Sequence, residues 1–438
     1  MVFSTGISLQ NPMGKRQVVV FTVGWLAYAS TYCLRKPLGV VKTDLETELS
    51  MSKTQLGLLD TALLLPYAVM QILLGPMADK FGARKTFGVG LVLSAASMFT
   101  FGAWSNFNLF CILLFLNGTA QSQCWPSAIK AVGSWFPDNV LNSVFGVYGT
   151  CTFAGGIIGT ALAVWLQTSY GWRSAFFIPS AVVGCMGLLV LLFFQQPDEL
   201  NIQVPGKASS TPSKSKASAL SWLQLLKIPM LVEVSLGLFC LKTVRYCLYM
   251  WLPMYLLNQL QYSKVEAGMF STMFEVGGVL GSAIIGFILD RLTFFRGRPL
   301  FGTGMSAAGS AVSLMLFVLT GPYGFVFNMT FLFLAGAFNC GCDTILSGSI
   351  PQELGNRDGK NAAAATVGMV NGIGSVGTFL EGPVIGVIAT VYGWSGMFYF
   401  MIIVTILGSI AVFKASVIYA RQPKSIPEPI SLNMTDLE

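Results

Sequence analysis

Along this chain polar residues are the exception. Apolar runs of about the ~20 residues a membrane-crossing helix needs lie near 17–40, 55–78, 86–105, 107–133, 139–167, 172–195, 231–260, 265–290, 299–320, 323–350, 362–391 and 394–419. Twelve such runs predict an all-α membrane protein. One connection is long and polar, QQPDELNIQVPGKASSTPSKSKASALSWLQ from about 195 to 224, and its Ser, Pro and Lys content reads as a flexible linker dividing six helices from six.

Positive charge sets the orientation, because Lys and Arg favour cytoplasmic loops. With the N-terminus inside, seventeen basic residues fall on the cytoplasmic side and four, Lys42, Lys53, Arg173 and Lys264, fall opposite. The other five of the 26, namely Arg35, Lys36, Lys130, Lys242 and Arg245, lie inside spans. Both termini are therefore expected in the cytosol, with endoplasmic reticulum and plasma membrane equally compatible. The predicted units are a cytosolic N-terminus (1–16), a six-helix bundle (17–195), a cytosolic linker (196–228), a second six-helix bundle (229–419) and a cytosolic tail (420–438). The polar opening MVFSTGISLQNPMGKR lacks the apolar core and cleavage site of a signal peptide, so the first run is expected to remain as a span.

Composition narrows the chemistry. The chain is 54% hydrophobic and 10% charged, against roughly 25% charged for soluble domains. It has no His, which removes the usual general base and metal ligand. Its nine Cys are scattered through apolar segments without a CxxC pair, the pattern of structural thiols. No metal, cofactor or enzymatic centre is expected, and the net charge of +7 follows from topology rather than nucleic-acid binding.

The two halves repeat each other. In KTQLGLLDTALLLPYAVMQILLGPMADK, Lys53, Gly57, Gly75 and Asp79 are spaced 4, 18 and 4 apart. In KVEAGMFSTMFEVGGVLGSAIIGFILDR, Lys264, Gly268, Gly286 and Asp290 repeat those intervals without a gap. SYGW at 169–172 is echoed by VYGW at 391–394. Parallel six-helix repeats joined by a cytoplasmic linker predict a transporter that rocks two bundles about a central site. Arg35 lies 44 residues before Asp79, and Arg245 lies 45 before Asp290. The repeat thus places the two arginines at equivalent positions, facing each other across the cavity. A charge in the bilayer costs at least ~2.5 kcal/mol, so such residues are functional candidates.

GPMADKFGARK at 75–85, with a weaker copy GFILDRLTFFRGR at 286–298, is similar to the loop signature of the major facilitator superfamily. YCLRKPLGVVK (32–42), NGTAQSQCWPSAIKAVGSWF (117–136), YMWLPMYLLNQLQYSKVEAGMFSTMFEVGG (249–278) and SIPQELG (349–355) resemble the organophosphate:phosphate antiporters, especially the sugar-phosphate exchangers of animals and plants. The resemblance implies two pseudo-symmetric six-helix bundles and phosphate binding by Arg35 and Arg245. The bacterial members carry a helix-two lysine where Gln71 stands, and the bacterial glycerol-phosphate exchanger a helix-five histidine where Thr152 stands. Animal relatives often carry a lysine at the place of Lys242, and the resemblance implies that it replaces the lost charge.

Arginine suits phosphate because its planar fork donates to two oxygens and keeps its charge. Tyr28, Tyr32 and Arg35 share a helical face by their spacing, as do Lys242, Arg245, Tyr246 and Tyr249. Each half thus offers a basic stripe flanked by phenols, suited to phosphate and polyol together. Gln71, Gln121, Trp125 and Thr152 complete the polar candidates. Lys36 is either a ligand or an interfacial snorkel, and Lys130 a gate, an anchor or a ligand. The membrane acids Asp60, Glu275, Asp343 and Glu381 either carry a coupled proton or pair with basic residues in the empty carrier. Asp79, Arg84 and Asp290 are the expected gate residues at the helix ends. The NGT (117–119), NMT (328–330) and NMT (433–435) sequons fall in spans or the cytosolic tail and are expected to be silent.

These readings converge on a monomeric antiporter that exchanges an organophosphate such as glucose-6-phosphate or glycerol-3-phosphate for inorganic phosphate by alternating access. The alternatives are a proton- or cation-coupled carrier of another organic anion and a non-transporting organophosphate sensor.

Overall fold

The computed structural model describes residues 12–51, 53–205, 222–262, 264–291, 298–357 and 362–421. Twelve principal helices run through them. In the first half these are α1 (Pro12–Val40), α2 (Lys53–Leu74), α3 (Ala83–Ala103), α4 (Phe107–Ser122, resumed as Cys124–Ser134), α5 (Leu141–Tyr170) and α6 (Ser174–Phe193). In the second they are α7 (Leu231–Asn258), α8 (Lys264–Arg291), α9 (Arg298–Thr320), α10 (Phe325–Thr344), α11 (363–392) and α12 (394–421). The last two are divided at Gly393, whose φ of 66° and ψ of −170° break the helical path and suit a residue without Cβ. A π-turn, Ile345–Ser349, extends α10 into Ile350–Asn356.

Eight helical stretches among the described residues are long and apolar enough to cross a membrane. The other four principal helices carry breaks or polar groups: α2 offers a shorter apolar stretch, Leu58–Leu74, and α4 is interrupted at Gln123. Lys242 and Arg245 stand on α7, and Asn371, Ser375 and Glu381 on α11. Large apolar side chains such as Leu26, Ile112, Leu192, Ile284, Val312 and Leu407 are exposed around the outside, as expected where lipid is the solvent.

The packing repeats with the sequence. Helix α2 packs on α4 and α3 on α6, while α8 packs on α10 and α9 on α12. The apolar core follows this division: one cluster lies almost wholly within residues 20–194, and two others within 225–415 apart from Phe153. The halves meet where α5 packs on α8 and α2 on α11, two contacts exchanged by the repeat. Gly146 and Gly286 allow the first approach, since a Cβ on Gly286 would lie 3.0 Å from the Gly146 Cα and nearer still to the Asn142 carbonyl.

The start of the expected linker is tied to the first half rather than loose. Trp135 Nε1 donates to the Gln195 carbonyl at 2.8 Å, Ala83 N–H to Gln196 Oε1 at 3.2 Å, and Arg84 pairs with Glu199 at 3.0 Å. Residues 206–221 and the tail beyond 421, including the last sequon, lie outside the described residues.

Candidate functional site

On α1, the helical repeat stacks Tyr28, Tyr32 and Arg35 on one face, as their spacing requires. The Arg35 guanidinium carbon lies 5.9 Å from the Tyr28 ring centre and 5.0 Å from that of Tyr32. Tyr67 of α2 is nearer than either, at 4.5 Å. Arg35 Nε donates to Gln121 Oε1 on α4, while its buried Nη2 has no hydrogen-bond partner among the described residues. Among the described residues this is a cation held by rings and one acceptor, with its Nη2 unpartnered. Trp125 backs the cage: its ring lies 4.8 Å from Tyr28, and its Nε1 crosses to the second half, donating to the Ser347 carbonyl at 2.8 Å.

On α7, Arg245 is buried, and its Nη1 donates to Asp343 Oδ2 of α10 at 2.9 Å. Its Nε and the other Asp343 oxygen, Oδ1, have no hydrogen-bond partner among the described residues. The guanidinium lies 5.7 Å from Tyr246 and, across the bundle interface, 5.7 Å from Phe153 of α5. The ring of Tyr249, which neighbours Tyr246 on α7, lies 5.3 Å from the Nζ of Lys36, next in sequence to Arg35, so the arginine-bearing turns of α1 and α7 adjoin across the two halves. Tyr249 lies beside Tyr246, ring centres 5.7 Å apart.

Lys242 departs from the expected shared stripe. Its Nζ turns to α11, donating to Asn371 Oδ1 at 2.7 Å and Ser375 Oγ at 3.2 Å. Lys242 and Arg245, three apart, share a face of α7, but their long side chains diverge at the head groups, one to α11 and the other to α10. Lys36 lies 3.7 Å from Glu275 of α8 and 5.3 Å from the Tyr249 ring, an ion pair joining the halves. Gln71 is fully buried with neither amide atom bonded among the described residues, and Thr152 donates to its own helix at Gly149. Asp60 is part-buried on α2, and the Glu381 side chain lies outside the described residues.

At one end of the molecule the halves are drawn together by two carboxylates placed by the repeat. Asp79, just beyond α2, accepts from Ala364 N–H at 3.2 Å and Ala365 N–H at 2.9 Å at the start of α11. Lys130 Nζ joins it at 2.8 Å. Asp290, at the end of α8, accepts from Asn142 N–H at 3.2 Å, Asn142 Nδ2 at 2.8 Å and Ser143 N–H at 2.6 Å at the start of α5. A carboxylate at a helix N-terminus satisfies orphan donors and meets the positive end of the dipole. Arg84, by contrast, bonds to Glu199 and the Leu191 carbonyl within its own half.

Sequence reasoning passed over Tyr67, Asn371 and Ser375. Tyr67 stands four residues before Gln71, and Asn371 four before Ser375, so the i, i+4 face was the available signal.

The Major Facilitator Superfamily model matches residues 20–380. Sugar phosphate exchanger 3 of Bos taurus is 27% identical to this chain, covering 92% of it and 93% of the relative. The glucose-6-phosphate exchanger SLC37A2 of Mus musculus is 26% identical over 89% of each. Among solved structures, the transporter FucP in its outward conformation aligns with a TM-score of 0.70 at 16% identity, covering 93% of this chain and all of that one. A bacterial homologue of the iron transporter ferroportin, outward-facing, aligns at 0.66 and 12% identity over 91% and 99% of the two chains. At these identities the solved structures speak to the fold.

Proposed function

The chain belongs to the major facilitator superfamily, and from that premise we propose that it exchanges a phosphorylated sugar or similar organophosphate for inorganic phosphate by alternating access. The carrying observation is the pair of arginines, one from each half on the adjoining turns of α1 and α7, each with a buried guanidinium nitrogen unpartnered among the described residues. A phosphate dianion offers the acceptors those donors lack. Relatives named as sugar-phosphate and glucose-6-phosphate exchangers support the same substrate class.

The mechanism follows from where the arginines stand. Phosphate bridging Arg35 and Arg245 draws the halves together at the centre, and release on the far side needs the opposite end to part. Asp343 neutralises Arg245 in the empty carrier, so phosphate enters by taking its place. Two phosphorylated solutes compete for the same clamp, which is the basis of exchange. Tyr28, Tyr32, Tyr67, Tyr246 and Tyr249 supply hydroxyls and ring faces for the polyol. The end closed by Asp79 and Asp290 faces the cytosol, with both termini, and a single chain completes the site as a monomer.

The test is counterflow in proteoliposomes loaded with inorganic phosphate, using a panel of sugar phosphates, trioses and glycerol phosphate. Uptake driven by internal phosphate, lost in Arg35→Ala and Arg245→Ala, is the expected result. Normal exchange by both variants removes the clamp, and uptake driven by a proton gradient without internal phosphate replaces exchange with proton coupling.

A further inference from the structure

Behind Arg35 lies a polar cluster that transport by itself does not call for. Ser94 of α3 and Asn117 and Gln121 of α4 are all buried at 1% exposure or less. Gln121 Nε2 donates to Ser94 Oγ at 2.9 Å and to Asn117 Oδ1 at 3.0 Å. Ser94 Oγ donates to the same Asn117 oxygen at 2.5 Å. Both hydrogens of the Gln121 amide are therefore consumed on the side away from Arg35, and its oxygen is left to accept from Arg35 Nε.

The direction of this chain is dictated from the guanidinium outward. Arginine Nε–H can only donate, so the facing end of Gln121 must be its carbonyl oxygen, and the far end must be its NH2. That NH2 requires acceptors, which Asn117 and Ser94 provide. Asn117 is the asparagine of an NGT sequon, and its complete burial gives it this internal task instead of glycosylation.

We infer that Ser94 and Asn117 are positioning residues for the phosphate clamp: they lock the Gln121 amide so that it anchors Arg35 at Nε and leaves the terminal nitrogens for substrate. The inference rests on the phosphate reading of Arg35 given above. Without the lock, Gln121 is free to turn its NH2 toward Arg35, donor against donor. The guanidinium is then held by the rings alone, which constrain its distance but not its rotation.

The experiment compares Asn117→Leu, Gln121→Met and the double variant in phosphate-loaded proteoliposomes, with inorganic phosphate as the transported probe. Each single change is expected to raise the phosphate KM roughly tenfold, the scale of one misdirected charge-assisted hydrogen bond, with the maximal rate within about twofold. The double variant is expected to be no worse than either single one, because both act through the same bond. Additive losses, or an unchanged KM in Asn117→Leu while Arg35→Ala abolishes exchange, overturn the inference. If the parent protein carries no phosphate at all, the proposed function falls, and an experimental structure of Asn117→Leu in lipid nanodiscs decides the present point. A Gln121 oxygen still bonded to Arg35 Nε there overturns it; a rotated amide supports it.

Discussion

The Asp79 contact to α11 sets how firmly one end of the transporter stays shut, and its strength can be worked from the bonds. Asp79→Asn keeps one carbonyl oxygen where the carboxylate had two, so one of the bonds to Ala364 and Ala365 loses its acceptor. It also removes the charge opposite Lys130, in a pair whose side chains are 14% and 11% exposed. A hydrogen bond to a charged group contributes about 1.5–3 kcal/mol, and a charge at a helix N-terminus about 0.3–1 kcal/mol. Allowing for the bond that asparagine retains, the closed state loses about 2–3 kcal/mol, a shift of roughly 30- to 150-fold toward the open state. Asp290→Asn is expected to shift it less, about 1–2 kcal/mol, because the partners seen for Asp290 among the described residues are neutral. Spin labels carried on unnatural amino acids at positions 85 and 421, both exposed and one in each half, report the opening as a longer distance in double electron–electron resonance. An unchanged distribution in Asp79→Asn, or a larger shift in Asp290→Asn, refutes the reasoning.

Three further outcomes follow from other contacts. Asp343→Asn leaves buried Arg245 without its carboxylate, which is expected to cost about 3–5 kcal/mol in the empty protein; thermal unfolding should show a lower Tm and a larger stabilisation by added phosphate than in the parent. Gly286→Leu inserts a side chain where α8 meets Gly146 and Asn142 of α5, so the same spin labels should separate, whereas an unaltered closed population would mean the helices yield elsewhere. Trp125→Phe keeps the ring against Tyr28 but removes the 2.8 Å donation to the Ser347 carbonyl; the expected loss of closed state is about 0.5–1.5 kcal/mol, read as faster hydrogen exchange across 345–349.

Much of the architecture is legible in the order of residues alone. Lipid demands long apolar helices, so the twelve runs could be marked by length, and the break at Gly393 falls between the last two of them. The repeated 4, 18 and 4 spacing placed Asp79 and Asp290 at equivalent helix ends, where each caps a helix of the opposite half. The stripe of Tyr28, Tyr32 and Arg35 is a property of one helix, since residues three and four apart share a face whatever surrounds them. What periodicity does not specify is which neighbour that face meets. Gln121 reaches Arg35 across 86 positions, Asp343 reaches Arg245 across 98, and Ala365 reaches Asp79 across 286. The direction Lys242 takes, toward α11 rather than along the Arg245 stripe, likewise depends on how whole helices dock. In a membrane protein lipid-facing and core-facing surfaces are both apolar, so hydrophobic pattern says little about which side packs where. Only the tertiary arrangement of the bundles, set by small residues and buried polar contacts, decides that Arg35 meets Gln121 and Tyr67 and that Arg245 meets Asp343.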